Sequence, residues 1–484
     1  MKTCRSKVLQ RAALALLWCA PACVWAAPAM GLPAVATPAA VTQALAAQRL
    51  PAAAASFAVM DAESGRIVLS HNPDNARSPA STIKVITTFA ALDMLGPAYT
   101  WHTRALSRGA PVDGVVEDLI LQGGGDPYMT LERWWSFVHA LRAAGIKAIH
   151  GDIVIDAGAF ALPPEDPGEF DGRPNRSYNV VPDALMVNFQ SIEFRVAADA
   201  AARRVDIIAI PAPANLVIDN HVRFVAGRCR GGAGRVDLKV DSPRWDRVTF
   251  SGALSAQCTG RSFARVLLHP ATYAFGTFVQ LWREAGGAFT GKLRIGAAPA
   301  DARVLLSFDS LSLGEIIRLT NKYSSNLMAR HLLLTLGAER LGYPATLEKG
   351  AAAIAAWSRE RGLDLQGVDM DNGSGLSRIT HISVLQMAQV LRAAYRSPYA
   401  PEFLASLPLA GIDGTLRSHM RTSPAGMVRL KTGHLDGVSG VAGYVTANSG
   451  KTYVLASLIN DRRADNGAGD AVHAALVAWM LENL

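Results

Sequence analysis

Arg77-Ser78-Pro79-Ala80-Ser81-Thr82-Ile83-Lys84-Val85-Ile86-Thr87-Thr88-Phe89-Ala90-Ala91-Leu92 is the stretch from which the rest of the chain is best read. Pro79 suits a first helical turn, and no proline or glycine follows before Gly96. Ile83, Ile86, Phe89, Ala90 and Leu92 recur at helical spacing, so the run predicts a helix with one apolar face. Ser81 then lies in the first turn, with Lys84 at i+3 on the same side. A helix start also offers free backbone N–H groups and a positive dipole end. A serine needs a base to become a nucleophile, and a lysine shielded from water can serve as one. Taken alone, the four residues read better as a capped helix with a solvated lysine.

The remaining composition narrows the context. The chain has 484 residues, half of them hydrophobic and 18% charged, enough for two or three domains. Lys2, Arg5, Lys7 and Arg11 account for four of the formal +8 charges. They precede the apolar run Ala12–Ala20, which Pro21 breaks and Val24-Trp25-Ala26 follows. That order is a secretory leader, residues 1–26, with cleavage after Ala26 or Ala27. No later segment reaches about 18 uninterrupted apolar residues, so no transmembrane span is expected. Without the leader the charge falls to about +4, with no basic stripe of the kind that binds nucleic acid. Loose association with an anionic membrane surface is compatible with that charge. Cys4, Cys19 and Cys23 leave with the leader. The remaining pair, Cys229 and Cys258, in an exported chain reads as a disulfide closing a loop of roughly thirty residues, worth ~3 kcal/mol.

Along the chain, Ser56–Met60 and Arg66–Ser70 flank a Glu-Ser-Gly turn and predict a hairpin. Asp118–Gln122 reads as a strand ending in Gly123-Gly124-Gly125-Asp126-Pro127. No Lys-Ser/Thr follows those glycines, which makes them a tight turn and not a phosphate loop. Leu131–Ala144 is an amphipathic helix, Gly151–Asp156 a strand, and 163–175 an exposed loop. Short alternating runs between 190 and 265 predict a small all-β module holding both cysteines. Ser312–Leu336 predicts two helices meeting at the polar turn Thr320–Asn326. Helices are expected at Ala351–Arg361 and Ser383–Arg396. Strands are expected at Met427–Gly433, Ser439–Thr446 and Thr452–Ile459, and a last helix at Asp470–Leu484. The fold class is α/β (α+β): terminal hairpins complete one antiparallel sheet with helices against it, and the sequence between about 100 and 265 is inserted.

Three short motifs occur in order: Ser81-x-x-Lys84, Ser324-x-Asn326 and Lys431-Thr432-Gly433. Each sits where acyl transfer would need it, at a helix start, an inter-helix turn and a strand end. Such a set marks serine β-lactamases and penicillin-binding proteins. Ser81 is the expected nucleophile and Lys84 its base. Ser324 would relay a proton to the leaving amine, with Lys84 or Lys431 adjusting its proton affinity. Asn326 would orient Lys84 and hold the substrate backbone, and Lys431 would supply a cation for a terminal carboxylate. Gly433 is expected to let substrate lie close to the strand. Backbone N–H groups of Ser81 and His434 would meet the oxyanion, the His434 ring taking no part. Read by themselves, Ser324 and Asn326 could instead cap the second helix.

The sequence resembles the D-Ala-D-Ala carboxypeptidase/endopeptidase family, the low-molecular-mass class C penicillin-binding proteins, over nearly the whole mature chain. Beyond the three motifs, the likeness includes Gly123-Gly124-Gly125-Asp126-Pro127 and Ser177-Tyr178-Asn179. It extends to Asp371-Asn372-Gly373-Ser374-Gly375-Leu376-Ser377-Arg378 and Leu407-Pro408-Leu409-Ala410-Gly411-Ile412-Asp413-Gly414-Thr415-Leu416. The resemblance implies a penicilloyl-serine-transferase domain at 27–100 and 266–484. It also implies an inserted domain at 101–190 and 251–265, with a nested β-rich domain at 191–250. It implies catalytic Ser81, Lys84 and Ser324. Asn326, Lys431, Thr432, Gly433 and His434 would bind substrate, with Arg378 and Asp171 near the substrate's side chain. Asp436 stands where some relatives have glutamine. Peptidoglycan stem peptides would be the substrate and β-lactams covalent inhibitors, with no cofactor or metal and a periplasmic location.

Two rivals share parts of this pattern. Class C β-lactamases use Tyr-x-Asn as the second element, where this chain has Ser324-Ser325-Asn326, and class A enzymes are far shorter. A non-catalytic wall-binding protein would not need all three motifs. Expressed with its leader in a bacterial host, the exported protein should begin at Ala27 or Pro28 by N-terminal sequencing; an intact Met1 terminus in the exported fraction would contradict the leader reading.

Overall fold

Five antiparallel strands form the sheet on which the Ser81 stretch rests. Their order is Val428–Leu435, Val438–Thr446, Thr452–Asn460, Ala55–Asp61, Ile67–His71. The computed structural model describes residues 36–240, 243–258, 260–421 and 423–484, so the leader expected at 1–26 lies outside the described residues. Ala55 pairs with Ile459 and Asp61 with Tyr453, which joins the two ends of the chain in one sheet. Both hairpins expected from the sequence are present.

Strand alternation sorts this sheet's side chains into two cores. Ala58, Met60, Ala442, Tyr444, Val454 and Leu458 face the helices Lys84–Leu95, Leu313–Tyr323, Asn326–Leu341 and Val384–Tyr395. Phe57, Val59, Val441, Val445 and Leu455 face Ala39–Ala47 and Ala468–Asn483 instead. A strand covered on both sides reads as a nearly continuous apolar run, as Val438–Thr446 does.

The Ser81 stretch begins as a tight 3₁₀ turn, Ala80–Ile83, and continues as the α-helix Lys84–Leu95 up to Gly96. The sequence predicts one apolar face. In the structure Lys84 to Leu92 are all buried, because the helix runs through the interior with partners on every side. Its threonines are both satisfied: Thr87 Oγ1 donates to the Gly373 carbonyl of a distant loop at 2.7 Å and Thr88 Oγ1 to that of Lys84 at 2.6 Å.

A second layer is a mixed five-stranded sheet, Leu293–Ile295, Ile153–Asp156, Leu119–Gln122, His102–Ser107 and Arg303–Asp309. Leu131–Ala143 and Pro270–Glu284 share its core. The chain returns to the first sheet's helices after Asp309 and not at 266. Arg303–Asp309 pairs antiparallel with His102–Ser107, a contact between segments too far apart for sequence pattern to reveal. Among the described residues between Ser191 and Val266, six strands make two three-stranded sheets. Phe194 of one meets Phe250 of the other with ring centroids 5.1 Å apart. Cys229 and Cys258 are disulfide-bonded within this part. Among the described residues, no helix is long and apolar enough to cross a membrane.

We propose that the residues around 191–250 fold as a nested module, within an insertion that continues to Asp309. A Cys229→Ser/Cys258→Ser variant should then become protease-sensitive between 191 and 266, with ~3 kcal/mol lost there. The main calorimetric transition should stay in place. Cleavage spread evenly over the chain would contradict that division.

Candidate active site

Three segments distant in sequence converge on one buried amine. Lys84 has no solvent exposure. Its Nζ donates to Ser81 Oγ at 2.8 Å, to Asn326 Oδ1 at 2.8 Å and to the Ser374 carbonyl at 2.5 Å. Burial holds its pKa well below the usual 10.5, and the nearby charge of Lys431 pushes the same way. Ser81 itself is half-buried at the cleft wall. Ala80, just before it, has φ +45°, in the left-handed region that a β-carbon disfavours.

A second serine–lysine pair faces the first. Ser324 ends the helix Leu313–Tyr323 in the left-handed conformation, φ 57° and ψ 37°. Its Oγ accepts from Lys431 Nζ at 2.7 Å, and Lys431 also donates to the Thr432 carbonyl at 2.7 Å. Lys431 is fully buried, which brings its pKa from 10.5 down to about 7. It therefore stands behind Ser324 and not on the cleft wall. Thr432 Oγ1 donates to Thr415 Oγ1 at 2.8 Å.

Ser324 and Asn326 are free for this site because another residue caps the second helix. Ser325 Oγ accepts from the Met328 N–H at 3.3 Å, an N-cap bond at the start of Asn326–Leu341. The preceding turn is fixed by Lys322, whose Nζ donates to the Leu407 carbonyl at 2.6 Å and to Asp413 Oδ2 at 2.7 Å. Asn321 Nδ2 donates to Thr88 Oγ1 and Ser406 Oγ. Thr320, Asn321 and Lys322 are thus tied into the core, while Tyr323 is exposed and Ser324, Ser325 and Asn326 are half-buried.

Two glycines hold the walls together. A Cβ on Gly433 would lie 2.6 Å from the Pro79 carbonyl oxygen and 3.0 Å from Ser81 N. The sequence suggests that Gly433 makes room for substrate; the structure shows it making room for the Ser81 turn. Gly375 has φ +77°, and its Cβ would lie 1.9 Å from the Ala80 carbonyl oxygen.

The cleft has a volume of about 670 Å³. Ser81, Ser324, Asn326, Tyr178, His434 and Asp171 line it, along with Phe170, Asp436 and Asp465. The Tyr178 carbonyl accepts from Asn326 Nδ2 at 3.1 Å, and Tyr178 Oη donates to Asp171 Oδ2 at 2.7 Å. Burial pushes the Asp171 carboxyl up slightly, but its bonds from Tyr178, Asn179 and Arg173 bring it below its usual range. Arg378 is set apart from the serines, 3.8 Å from Asp436 and over the Phe170 ring at 4.5 Å. The His434 ring turns to the C-terminal helix, Nε2 lying 2.9 Å from Asp470 Oδ1. Burial alone would raise the Asp470 carboxyl; the His434 bond and neighbouring histidine charges instead bring it to about 2.

Residues 37–483 match the D-Ala-D-Ala carboxypeptidase 3 (S13) family. The chain belongs to this family of serine peptidases. It is 28% identical over 432 residues to the D-alanyl-D-alanine carboxypeptidase of Actinomadura sp. (strain R39), covering 85% of this chain and 78% of that one. Its fold is similar to the crystal structure of penicillin binding protein 4 (dacB) from Haemophilus influenzae. The TM-score is 0.75 at 24% identity, over 91% of this chain and 99% of that one. The same Haemophilus influenzae protein complexed with a β-lactam gives 0.71 at 23% identity, with the same coverage. These likenesses agree with the sheet-and-helix architecture expected from the sequence.

Sequence reasoning assigned no role to Ser374, Thr415, Ser325 or Tyr178. Ser374 reaches Lys84, and Tyr178 reaches Asn326, through backbone carbonyls, which carry no side-chain signature; their family strings were the only available pointer.

Two outcomes follow from this geometry. Gly433→Ala should slow acylation of Ser81 by roughly 100-fold, since the strand and the serine turn must separate; near-native acylation would contradict the close contact. Lys431→Met should be more heat-stable than the native protein at about pH 7, with the gap closing towards about pH 10. The sign follows from the lowered pKa. Between about 7 and 10.5 the unfolded chain binds the extra proton, so native stability rises with pH across that window. A constant or widening gap in melting scans would contradict it.

Proposed function

We propose that the chain is a periplasmic serine D-Ala-D-Ala carboxypeptidase and/or D,D-endopeptidase that cleaves peptidoglycan stem peptides through an acyl-enzyme on Ser81. The observation carrying this reading is Lys84 Nζ, fully buried and 2.8 Å from Ser81 Oγ. A neutral amine has two N–H groups and one lone pair. Asn326 Oδ1 and the Ser374 carbonyl take the two N–H groups. Once the amine has lost its third proton, the lone pair takes the place of the N–H that pointed to Ser81 Oγ and can accept the Ser81 hydroxyl proton, which is the arrangement a general base needs.

In this mechanism Ser81 Oγ attacks the carbonyl carbon of the D-Ala-D-Ala bond as its proton passes to Lys84. The oxyanion is met by the backbone N–H groups of Ser81 and His434, whose strand lies hard against the serine turn. The C–N bond then breaks, and the proton moves from Lys84 through Ser324 to the departing amine. Water completes the cycle by the reverse route, releasing the shortened peptide and free Ser81. Lys431 sets the proton affinity of Ser324 and lends positive potential, through Ser324 and Thr432, to the substrate's terminal carboxylate. Asp171 and Arg378 would meet charged groups of the stem-peptide side chain. The β-lactam complex of the Haemophilus influenzae relative supports reading β-lactams as inhibitors that acylate the same serine.

Incubation with labelled penicillin should give a long-lived adduct on the peptide containing Ser81, absent in Ser81→Ala. Lys84→Ala should lower acylation by roughly 1,000-fold or more at neutral pH. Fast turnover of the drug, or an adduct elsewhere, would overturn the assignment. Digestion of monomeric and cross-linked muropeptides then divides carboxypeptidase from endopeptidase action.

A further inference from the structure

The charge of the molecule is concentrated in one place. Between residues 191 and 266 there are twelve Lys and Arg against seven Asp and Glu, a net +5. The leader holds four of the formal +8, so everything else in the mature chain sums to −1. Eleven of the twelve cations are arginine. Five of the seven acids of this part are already paired with arginines among the described residues. Glu193 lies 3.0 Å from Arg195, Asp206 2.9 Å from Arg204, Asp237 3.0 Å from Arg235 and Asp219 2.7 Å from Arg247. Such exposed pairs add little stability, but they neutralise the faces they occupy. Arg228, Arg230 and Arg261 have no carboxylate partner among the described residues.

Part of that surplus lies around the disulfide. Arg230, Arg235 and Arg261 wall a cavity of about 470 Å³ floored by Val236 and Phe263, and no carboxylate-bearing residue lines it. The Cys229–Cys258 bond ties the Arg230 loop to the strands that carry Arg235 and Arg261. Arg261 Nη2 donates to the Gly234 carbonyl at 2.8 Å, which fixes that guanidinium and leaves its other N–H groups to the cavity. Arg235 already has Asp237, but Arg230 and Arg261 have no such acid among the described residues, and an outside anion relieves the repulsion between them. Guanidinium forks match carboxylates bidentately. A concave site with an apolar floor admits a group projecting from a polymer, whereas the headgroup plane of a bilayer does not enter it.

We propose that this arginine-walled cavity is a carboxylate-binding exosite that docks the enzyme on polymeric peptidoglycan. The proposal rests on peptidoglycan being the substrate, and it separates binding to the insoluble polymer from chemistry at Ser81. Soluble fragments need only the Ser81 cleft; an intact sacculus presents many stem-peptide carboxylates to the second site.

The test compares the mature protein with Arg228→Gln/Arg230→Gln, two exposed positions. Arg261→Lys, which keeps charge but loses the fork, and Arg303→Gln, an exposed arginine outside this part, complete the set. Co-sedimentation with purified sacculi at rising salt should be roughly tenfold weaker for the double variant and intermediate for Arg261→Lys. Arg303→Gln should match the native protein. For the double variant the melting temperature should be unchanged, and penicillin acylation and turnover of soluble muropeptides should stay within about twofold. Unchanged sacculus binding by the double variant would overturn the proposal. So would a loss seen on phosphatidylglycerol vesicles and not on sacculi, which would make the partner a membrane. Arginine-dependent sacculus binding by a protein that releases no D-Ala would refute the catalytic reading and leave the exosite standing.

Discussion

A lysine amine sealed from water is the constraint around which this structure is arranged. An ammonium group loses its hydration on burial, a penalty of several kcal/mol that the protein must offset or avoid by neutralising the group. Both responses are visible at Lys84. Three oxygens surround Nζ, from Ser81, Asn326 and Ser374. They come from the serine turn, the start of the helix Asn326–Leu341 and a glycine-rich loop, so the fold must bring all three to one point. Lys431 lies close enough to lower the Lys84 pKa further. Neutralising the amine relieves the burial and, in the proposed mechanism, also creates the base.

The same logic explains the backbone around the site. Strand Val428–Leu435 presses on the Ser81 turn so closely that only glycine fits at 433, and Gly375 meets Ala80 in the same way. Left-handed conformations at Ala80 and Ser324 sit immediately beside or on the two serines. Such strain persists only where surrounding packing over-determines it. Here the packing is a sheet covered on both faces, with the serine helix buried along its first nine residues.

Much of this was legible in the sequence, for identifiable reasons. The two hairpins, the paired helices meeting at Ser324 and the β-rich segment all announce themselves through alternation, helical spacing and turn residues. Ser81, Lys84, Ser324, Asn326 and Lys431 are side-chain motifs, and the structure brings them together. What stayed hidden depends on long-range backbone. The carbonyl of Ser374 has no residue-type signature, and the strand Arg303–Asp309 joins the second sheet through pairing with a segment some two hundred residues earlier. Ser325, not its neighbours, caps the helix because the left-handed Ser324 turns its own hydroxyl toward Lys431. Lys431 looked like a surface cation at a strand mouth; its burial is set by neighbours that local pattern does not name.

The measurement closest to the central claim is a pH titration of Lys84 by NMR, with ¹³C at Cε, in the mature protein without substrate. The account predicts that Lys84 loses its proton well below the exposed lysines, in step with the rise in Ser81 acylation. Titration of Lys84 together with the exposed lysines, near the ordinary 10.5, would contradict it.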